Sequence, residues 1–589
     1  MNNKHLIALA AATCFSGQAQ AWTQDRDGLV LQLDTKMSAG ASWRVESRDR
    51  NLVGRGNGGL AFSTNGDDGN LAFDSGEVVS AAAKITSDLT ISRGDFGVFV
   101  RGSYLFNERL NNYDFFDLGD YGVGKEAPIS EYRAKTAAVR DQVGNDADLL
   151  DAYFFGSFNL AGRPAAFRIG RQVINWGEST FILHGINSIL TFDQNQQRVP
   201  GFEIDELLLP TNMAWVSFSP FGSVSVEAFY QLDWESTTID ASGTYWSSND
   251  FAGIGGTRAN IGFGLPNENS PGSTIPREAD REPGNDGQYG GKLGFSIPAL
   301  NEMDLSLYAM NYHSRLPLIS GVPKATFAEP STVTGRYFVE YPEDIQLYGL
   351  SFNTAVGDWS IQGEYSYKVD QPLQIDDVEV LLAGVGLPSQ LTPAPCPVLG
   401  CALGKPYLRG WRRHDVSQVD LGLTRLVGPI GWLGSDQLVL LAEAGGVYVH
   451  DLPPESQLRY DGPGTYTPGD PFAAGFVSAA LGTTIPVQTD GYATDFSWGY
   501  KLVARLSYNN LIGPIRVEPT LRFDHDVKGV TPTPVTNFVE DRKMLQLSVS
   551  GFYLQEWSAE LGYTRYFDGG NANLLGDRDF IDAVVKYSF

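Results

Sequence analysis

Phe580-Ile581-Asp582-Ala583-Val584-Val585-Lys586-Tyr587-Ser588-Phe589 puts Ile581, Ala583, Val585, Tyr587 and Phe589 on one face of an extended strand. A two-residue alternation of this kind is what a strand needs when its two faces meet different media. An alternating strand that stops on an aromatic is also the form read by the assembly machinery that inserts barrels into bacterial outer membranes. That machinery is therefore an expected partner, and an outer-membrane β-barrel is the leading expectation.

The same split recurs upstream. Ile515, Val517, Leu521 and Phe523 oppose Arg516, Glu518, Thr520, Arg522 and Asp524, and Ile361, Tyr365, Tyr367 and Val369 oppose Ser360, Gln362, Glu364, Ser366 and Lys368. Leu545, Leu547 and Val549 oppose Gln546, Ser548 and Ser550. Lipid outside and water inside demand this pattern, although a solvated sheet edge would also tolerate such charges. Eighteen segments read this way, from 29–45 and 75–91 at the start to 556–567 and 578–589 at the end. Their joins alternate. Short ones such as Ser92-Arg93-Gly94, Ala161-Gly162-Arg163 and Pro220-Phe221-Gly222 separate long ones such as 46–74, 108–147, 174–212, 235–287, 314–344, 370–410 and 450–493. Short periplasmic turns and long external loops are the grammar of outer-membrane barrels. The expectation is thus an all-β, transmembrane antiparallel barrel of about 18 strands, with a range of 16–18, and with both termini in the periplasm.

At the other end, Lys4 precedes an apolar run from Leu6 to Phe15 and then Ala19-Gln20-Ala21, a small-x-small cleavage pattern. Residues 1–21 read as a signal peptide, because the apolar run is about half of what a membrane-spanning helix needs. Residues 22–589 then form a single barrel domain. No later stretch of about 18 apolar residues occurs, so any crossing of lipid must be made by strands. The net charge of −26 argues against nucleic acid, whose backbone needs a basic partner. Outer-membrane lipid and lipopolysaccharide are the expected surroundings.

Cys396 and Cys401 lie in the Pro-rich stretch from Pro393 to Cys401, and a local disulfide is expected in an oxidising compartment. No metal and no cofactor is expected: the chain has no HExxH pattern and few histidines, and its glycine-rich stretches lack the lysine and helix of a phosphate loop. The acidic run Asp376-Asp377-Val378-Glu379 reads as a solvated loop charge run, with contact to calcium as the alternative.

Two long connections look structured. Residues 128–143 read as a short helix with Pro128 at its start and Glu131 in the first turn. Residues 174–212 carry Phe181, Ile182, Leu183, Ile186, Ile189, Leu190 and Phe192 and then Leu207, Leu208 and Leu209. So apolar a segment should fold against something, and an eighteen-strand lumen has room to shelter it. A partly helical insert or plug is expected there, with an outer cap on neighbouring loops as the alternative. Gly170 and Gly177 would let the chain turn inward.

The segment Arg168-Ile169-Gly170-Arg171-Gln172-Val173-Ile174-Asn175-Trp176-Gly177-Glu178-Ser179, followed by Gly185-Ile186-Asn187, resembles the DUF1302 family of proteobacterial outer-membrane proteins. Gly287-Gln288-Tyr289-Gly290, His313-Ser314-Arg315-Leu316-Pro317, Tyr341 to Gly349 and Asp577-Arg578-Asp579-Phe580 carry the resemblance across nearly all of the mature chain. The resemblance implies movement of lipids or apolar compounds across the envelope, with a periplasmic carrier of the DUF1329 type and an inner-membrane RND-like exporter as possible partners. It implies no catalytic residue.

Lumen or gate candidates follow from strand alternation and from the insert: Arg168, Arg171, Asn175, Trp176, Glu178, Phe181, Ile186, Phe192, Arg315, Glu443 and Arg516. The blander reading of Arg168 is a salt bridge to Glu178, Glu203, Asp205 or Glu206. That of Trp176 is a place in the aromatic belt, and that of Arg315 is a solvated rim charge. The leading functional expectation is a passage for hydrophobic or amphiphilic molecules, gated by the apolar insert. A general or substrate-selective porin, a surface-binding barrel and an outer-membrane hydrolase are the alternatives, the last needing Ser, His and a carboxylate within hydrogen-bond reach.

Overall fold

The computed structural model describes residues 22–113, 129–265, 274–392 and 400–589. Eighteen strands hydrogen-bond in chain order, each antiparallel to the next, and the last pairs with the first to close the barrel. They are β1 (Leu29–Arg44), β2 (Val78–Arg93), β3 (Phe96–Asn107), β4 (Asn145–Leu160), β5 (Arg163–Gln172), β6 (Thr211–Phe221), β7 (Val224–Gln231), β8 (Tyr289–Ile297) and β9 (Met303–Tyr312). The second half runs β10 (Ile345–Val356), β11 (Trp359–Gln374), β12 (Trp411–Val427), β13 (Gln437–Val449), β14 (Phe496–Ile512), β15 (Ile515–Lys528), β16 (Lys543–Tyr553), β17 (Trp557–Phe567) and β18 (Phe580–Ser588). Each expected segment became one strand. Closure satisfies the backbone groups that a sheet edge would leave bare in lipid.

One strand of the barrel sheet was not anticipated. Trp22–Arg26 turns back at Asp27-Gly28 and pairs with Leu29–Leu33 of β1. Phe589 pairs with Thr35 just beyond, so this short strand continues the column of β18 and covers the part of β1 that β18 does not reach.

The alternation expected of the strands is present. Phe154, Ile169, Val216, Leu350, Val419, Leu521, Val549 and Val585 are exposed outward, while Lys84, Glu364, Lys368, Gln418, Asp420 and Glu443 are buried inside the wall. This apolar outer surface makes the chain an outer-membrane β-barrel with periplasmic termini. The expected helix is found at Ile129–Val139 and continues as a five-residue π-helix, Arg140–Gly144; Pro128 lies outside the described residues.

The long connections pack on one another. Phe73, Tyr113, Val139, Tyr245 and Trp246 form a core between three of them. Arg44 and Arg578, both fully buried, tie the first and last strands into that core. Arg44 pairs with Asp577 at 2.9 Å, and Arg578 donates to Asn70 Oδ1 at 2.6 Å and to the Tyr245 carbonyl. The Asp577-Arg578-Asp579 motif thus latches the outer cap.

The acidic run 376–379 departs from expectation. Asp376 and Glu379 are each 0% exposed, because Asp377–Val385 forms a helix packed among the outer loops rather than a solvated run. Cys401 is disulfide-bonded, while Cys396 lies outside the described residues.

Candidate functional site: the segment across the lumen

Beyond β5 the chain leaves the wall. Gly170 at φ +130° and Gly177 at φ +101° adopt backbone that side chains disfavour, and the chain enters the barrel between them. It touches the wall in three arcs.

At its root, Ile174, Trp176, Ile186 and Ile189 pack with Met213, Phe229, Tyr308, Met310, Tyr312, Ile345 and Leu347 of β6, β7, β9 and β10. Trp176 sits 5.1 Å from the Phe229 ring and 5.8 Å from Tyr308, and its indole N–H donates to Glu227 at 3.0 Å. It therefore belongs to the lumen segment and not to the aromatic belt, since Glu227 supplies an indole partner inside the wall. Trp215 donates to the same oxygen at 3.2 Å, and Lys292 pairs with the other at 3.2 Å.

At the second arc, two carboxylates of the wall grip the backbone of the segment. Glu364 on β11 accepts the N–H groups of Glu178 at 2.6 Å, Ser179 at 3.1 Å and Ile186 at 3.0 Å. Glu443 on β13 accepts those of Thr180 and Phe181 at 2.9 Å and Ile182 at 3.0 Å. The carbonyls are held in turn: Gln362 donates to Glu178 at 2.7 Å, Gln418 to Leu183 at 3.1 Å, Lys501 to Phe181 at 3.2 Å, and Lys368 to His184. Burying a carboxylate is tolerable when several N–H donors replace its water, and each of these has three. The approach is close at two glycines: a Cβ on Gly185 would lie 2.1 Å from Glu364 Oε1, and one on Gly445 would lie 2.7 Å from Ile182 Cδ1.

The third arc is β18, β1, β2 and β3. Here acidic side chains of the segment meet basic ones of the wall. Glu203 pairs with Lys586 at 2.6 Å, Asp205 with Arg101 at 3.3 Å, and Glu206 with Lys84, while Thr86 donates to Glu206 at 2.5 Å. Between segment and wall, around His184, Tyr312 and Lys368, a cavity of about 20 Å³ remains, room for about one water.

The other candidates fall as follows. Arg168 faces inward, stacked 4.5 Å from the Trp215 ring and 5.6 Å from Tyr153; the four carboxylates suggested for it bond elsewhere. Arg171 shares the outward face of Ile169 and pairs with Glu235 at 3.1 Å on the outer rim, so alternation takes it off the lumen. Asn175 is exposed, Glu178 accepts from Asn353 at 3.1 Å, and Phe192 is buried in a two-residue strand beside Leu208 and Leu209. Phe181 lies under the Arg522 guanidinium at 5.0 Å, and Ile186 packs on Gly349. Arg315 is buried, not a solvated rim charge, because the 232–288 connection covers it; it donates to the Glu235 carbonyl at 3.0 Å and to Gln231 at 2.5 Å. Arg516 and Arg505 share Glu518 at 3.1 and 3.8 Å on the inner wall.

Sequence reading singled out Glu443 but missed Glu364, Lys368, Gln418 and Lys501. These are ordinary polar residues on the inward face, and only the segment's backbone gives them a role. For hydrolysis, Ser417 Oγ and His450 Nε2 lie 2.9 Å apart, but the serine also bonds Tyr365 at 2.9 Å, and among the described residues no carboxylate bonds the second nitrogen of His450.

The site and fold together are those of an outer-membrane barrel with a segment secured across its lumen. The chain belongs to the DUF1302 family, described as a protein of unknown function, whose model matches residues 3–589. No curated protein matches it. Among solved structures it is similar to OccAB1 of Acinetobacter baumannii, at 10% identity over 98% of this chain and 99% of that one, with a TM-score of 0.41. It is also similar to the outer-membrane channel DcaP of Acinetobacter baumannii, at 9% identity over 97% and 100%, with a TM-score of 0.36. OccK2 of Pseudomonas aeruginosa in complex with glucuronate matches at 10% identity over 95% and 96%, with a TM-score of 0.37.

Proposed function

We propose that the protein is a solute-selective channel of the porin kind, with the segment after β5 as its constriction. The observation that carries this is the chemistry of the inner wall. Around the segment the wall is polar and ion-paired, with Lys501 beside Asp524, Arg522 bidentate on Asp524, and Arg101 shared among Asp88, Asp151 and Asp205. Of the apolar side chains that suggested a hydrophobic gate, Ile182, Ile186 and Ile189 are used in packing the segment onto the wall. The wall side chains that remain to face a solute are charged and hydrogen-bonding, which orients polar molecules.

A second reading keeps an amphiphilic cargo. It is favoured by Ile204, 67% exposed, and exposed Phe202, which lie beside Glu203 and Asp205 on the segment. The DUF1329-type carrier and RND-like exporter implied by the family resemblance belong with this second reading.

Uptake into liposomes tests both. Purified protein should admit a small sugar acid and exclude a labelled fatty acid, and replacing residues 181–192 with a short Gly-Ser linker should raise sugar-acid flux several-fold. Passage of the fatty acid with exclusion of the sugar acid would overturn the porin reading in favour of the second.

A further inference from the structure

Two groups of three aspartates lie in the outer cap, and within each group one carboxylate oxygen per residue falls within 4.8 Å of the others. That span is twice a calcium–oxygen distance of about 2.4 Å, so three such oxygens can share one ion. The groups differ in how their charge is met. In the first, Asp68 pairs with Lys135 at 2.6 Å, Asp67 accepts from Gly54 at 2.7 Å and from Asn57, and Asp250 accepts from the Asp68 N–H at 3.1 Å. A lysine already serves there.

The second group is Asp376, Asp377 and Asp461, and among the described residues no lysine or arginine pairs with any of them. Asp376 is 0% exposed, yet both of its carboxylate oxygens are without a hydrogen-bond partner. It stands at the N-cap of the Asp377–Val385 helix, where an aspartate ordinarily accepts a backbone N–H, and it makes no such bond. The Thr465 hydroxyl, which acts on Asp376, donates its proton to the Gly462 carbonyl at 2.8 Å. Tyr492, 3% exposed, also has a hydroxyl without a partner, and Asp376 is the charge that acts on it most strongly. One turn on, Glu379 of the same helix is equally buried and fully served, by Arg459 at 2.9 Å and the Gln390 N–H at 2.8 Å.

An uncompensated buried carboxylate costs several kcal/mol, and a fold keeps one where something absent from the polypeptide completes it. Oxygen donors alone select a hard cation, and the shortage of rigid octahedral partners favours calcium over magnesium. We propose that Asp376, Asp377 and Asp461 bind one calcium ion. The ion joins the 375–410 connection to the 450–495 connection, which already meet at the Ile375–Tyr460 bridge, and stiffens the outer cap over the mouth.

Calcium titration of chelator-stripped, full-length protein in detergent tests this, with terbium(III) luminescence sensitised by neighbouring tyrosines as the second probe. One saturable site is expected, with a dissociation constant of about 10⁻⁴ M or tighter. It should be lost in Asp376→Asn and Asp461→Asn and kept in Asp68→Asn. In the wild type, chelator should also speed proteolytic cleavage within 375–410 and 450–495, which needs no variant to fold. No saturable binding below about 1 mM, binding unchanged in Asp376→Asn, or cleavage indifferent to chelator would overturn the proposal.

Discussion

The lumen segment is held by two grips that differ in kind. On β11 and β13, Glu364 and Glu443 hold six backbone N–H groups, so the grip reads the path of the chain and not its side chains. On β18, β1 and β2, the grip is made of side-chain charge pairs, Glu203 with Lys586 and Glu206 with Lys84. A charge pair can be replaced by an apolar pair of similar volume with little net cost, because removing both partners removes both desolvation penalties. A carboxylate holding main-chain donors has no such substitute. The peptide groups remain whatever side chain replaces it, and each unmet donor costs about 1–3 kcal/mol. The first grip should therefore be the one that decides whether the segment stays in place.

The largest expected effect follows from removing it altogether. Glu364→Ala combined with Glu443→Ala should weaken attachment by on the order of 3 kcal/mol or more for each carboxylate. At about 1.4 kcal/mol per tenfold, even half of that total raises the released population about a hundredfold. Planar-bilayer recordings should then show a large, long-lived conductance rare in the wild type. A conductance unchanged from wild type would mean that the charge pairs alone hold the segment.

Next in size is Glu206→Ala, which leaves the Lys84 ammonium buried without its partner and should cost about 3–5 kcal/mol, read as a fall in thermal unfolding temperature and more frequent openings. Glu206→Leu with Lys84→Met should restore most of the loss. If the paired apolar replacement opens the channel as widely as the double alanine change on the other wall, the distinction between the two grips collapses.

The smallest effect is expected from Gly185→Ala. Its Cβ would lie 2.1 Å from Glu364 Oε1, and moving the carboxylate to make room should cost about 1–3 kcal/mol. Brief, partial openings would sharpen the comparison by tying them to the Glu364 contact, since Gly185 has no contact with the third arc.

Much of this molecule was legible as pattern. The strand from Ile515 shows both faces in nine residues, because lipid and water impose opposite demands on neighbouring positions. Gly170 and Gly177 were legible as turning points, and Glu443 stood out as a charge within a Leu- and Val-rich strand. Glu364 did not, since it lies among Gln362, Ser366 and Lys368, any of which suits an aqueous wall. Arg315 and Asp376 were misread for a related reason. Charges in long connections are solvated by default, and nothing local says that another loop will cover them.

The period-two pattern, the alternation of short and long joins and the apolar content of residues 174–212 determined an eighteen-strand barrel with an ordered segment in one long connection, because these are local consequences of where each residue meets lipid, water or neither. Only the tertiary structure decided which wall residues hold that segment, that Ile174, Trp176, Ile186 and Ile189 pack outward against the wall, and that Asp376 lies unpartnered beside Asp461. Those facts depend on contacts between residues tens to hundreds of positions apart, and a hydrogen-bond donor supplied by the backbone carries no mark in the sequence at all.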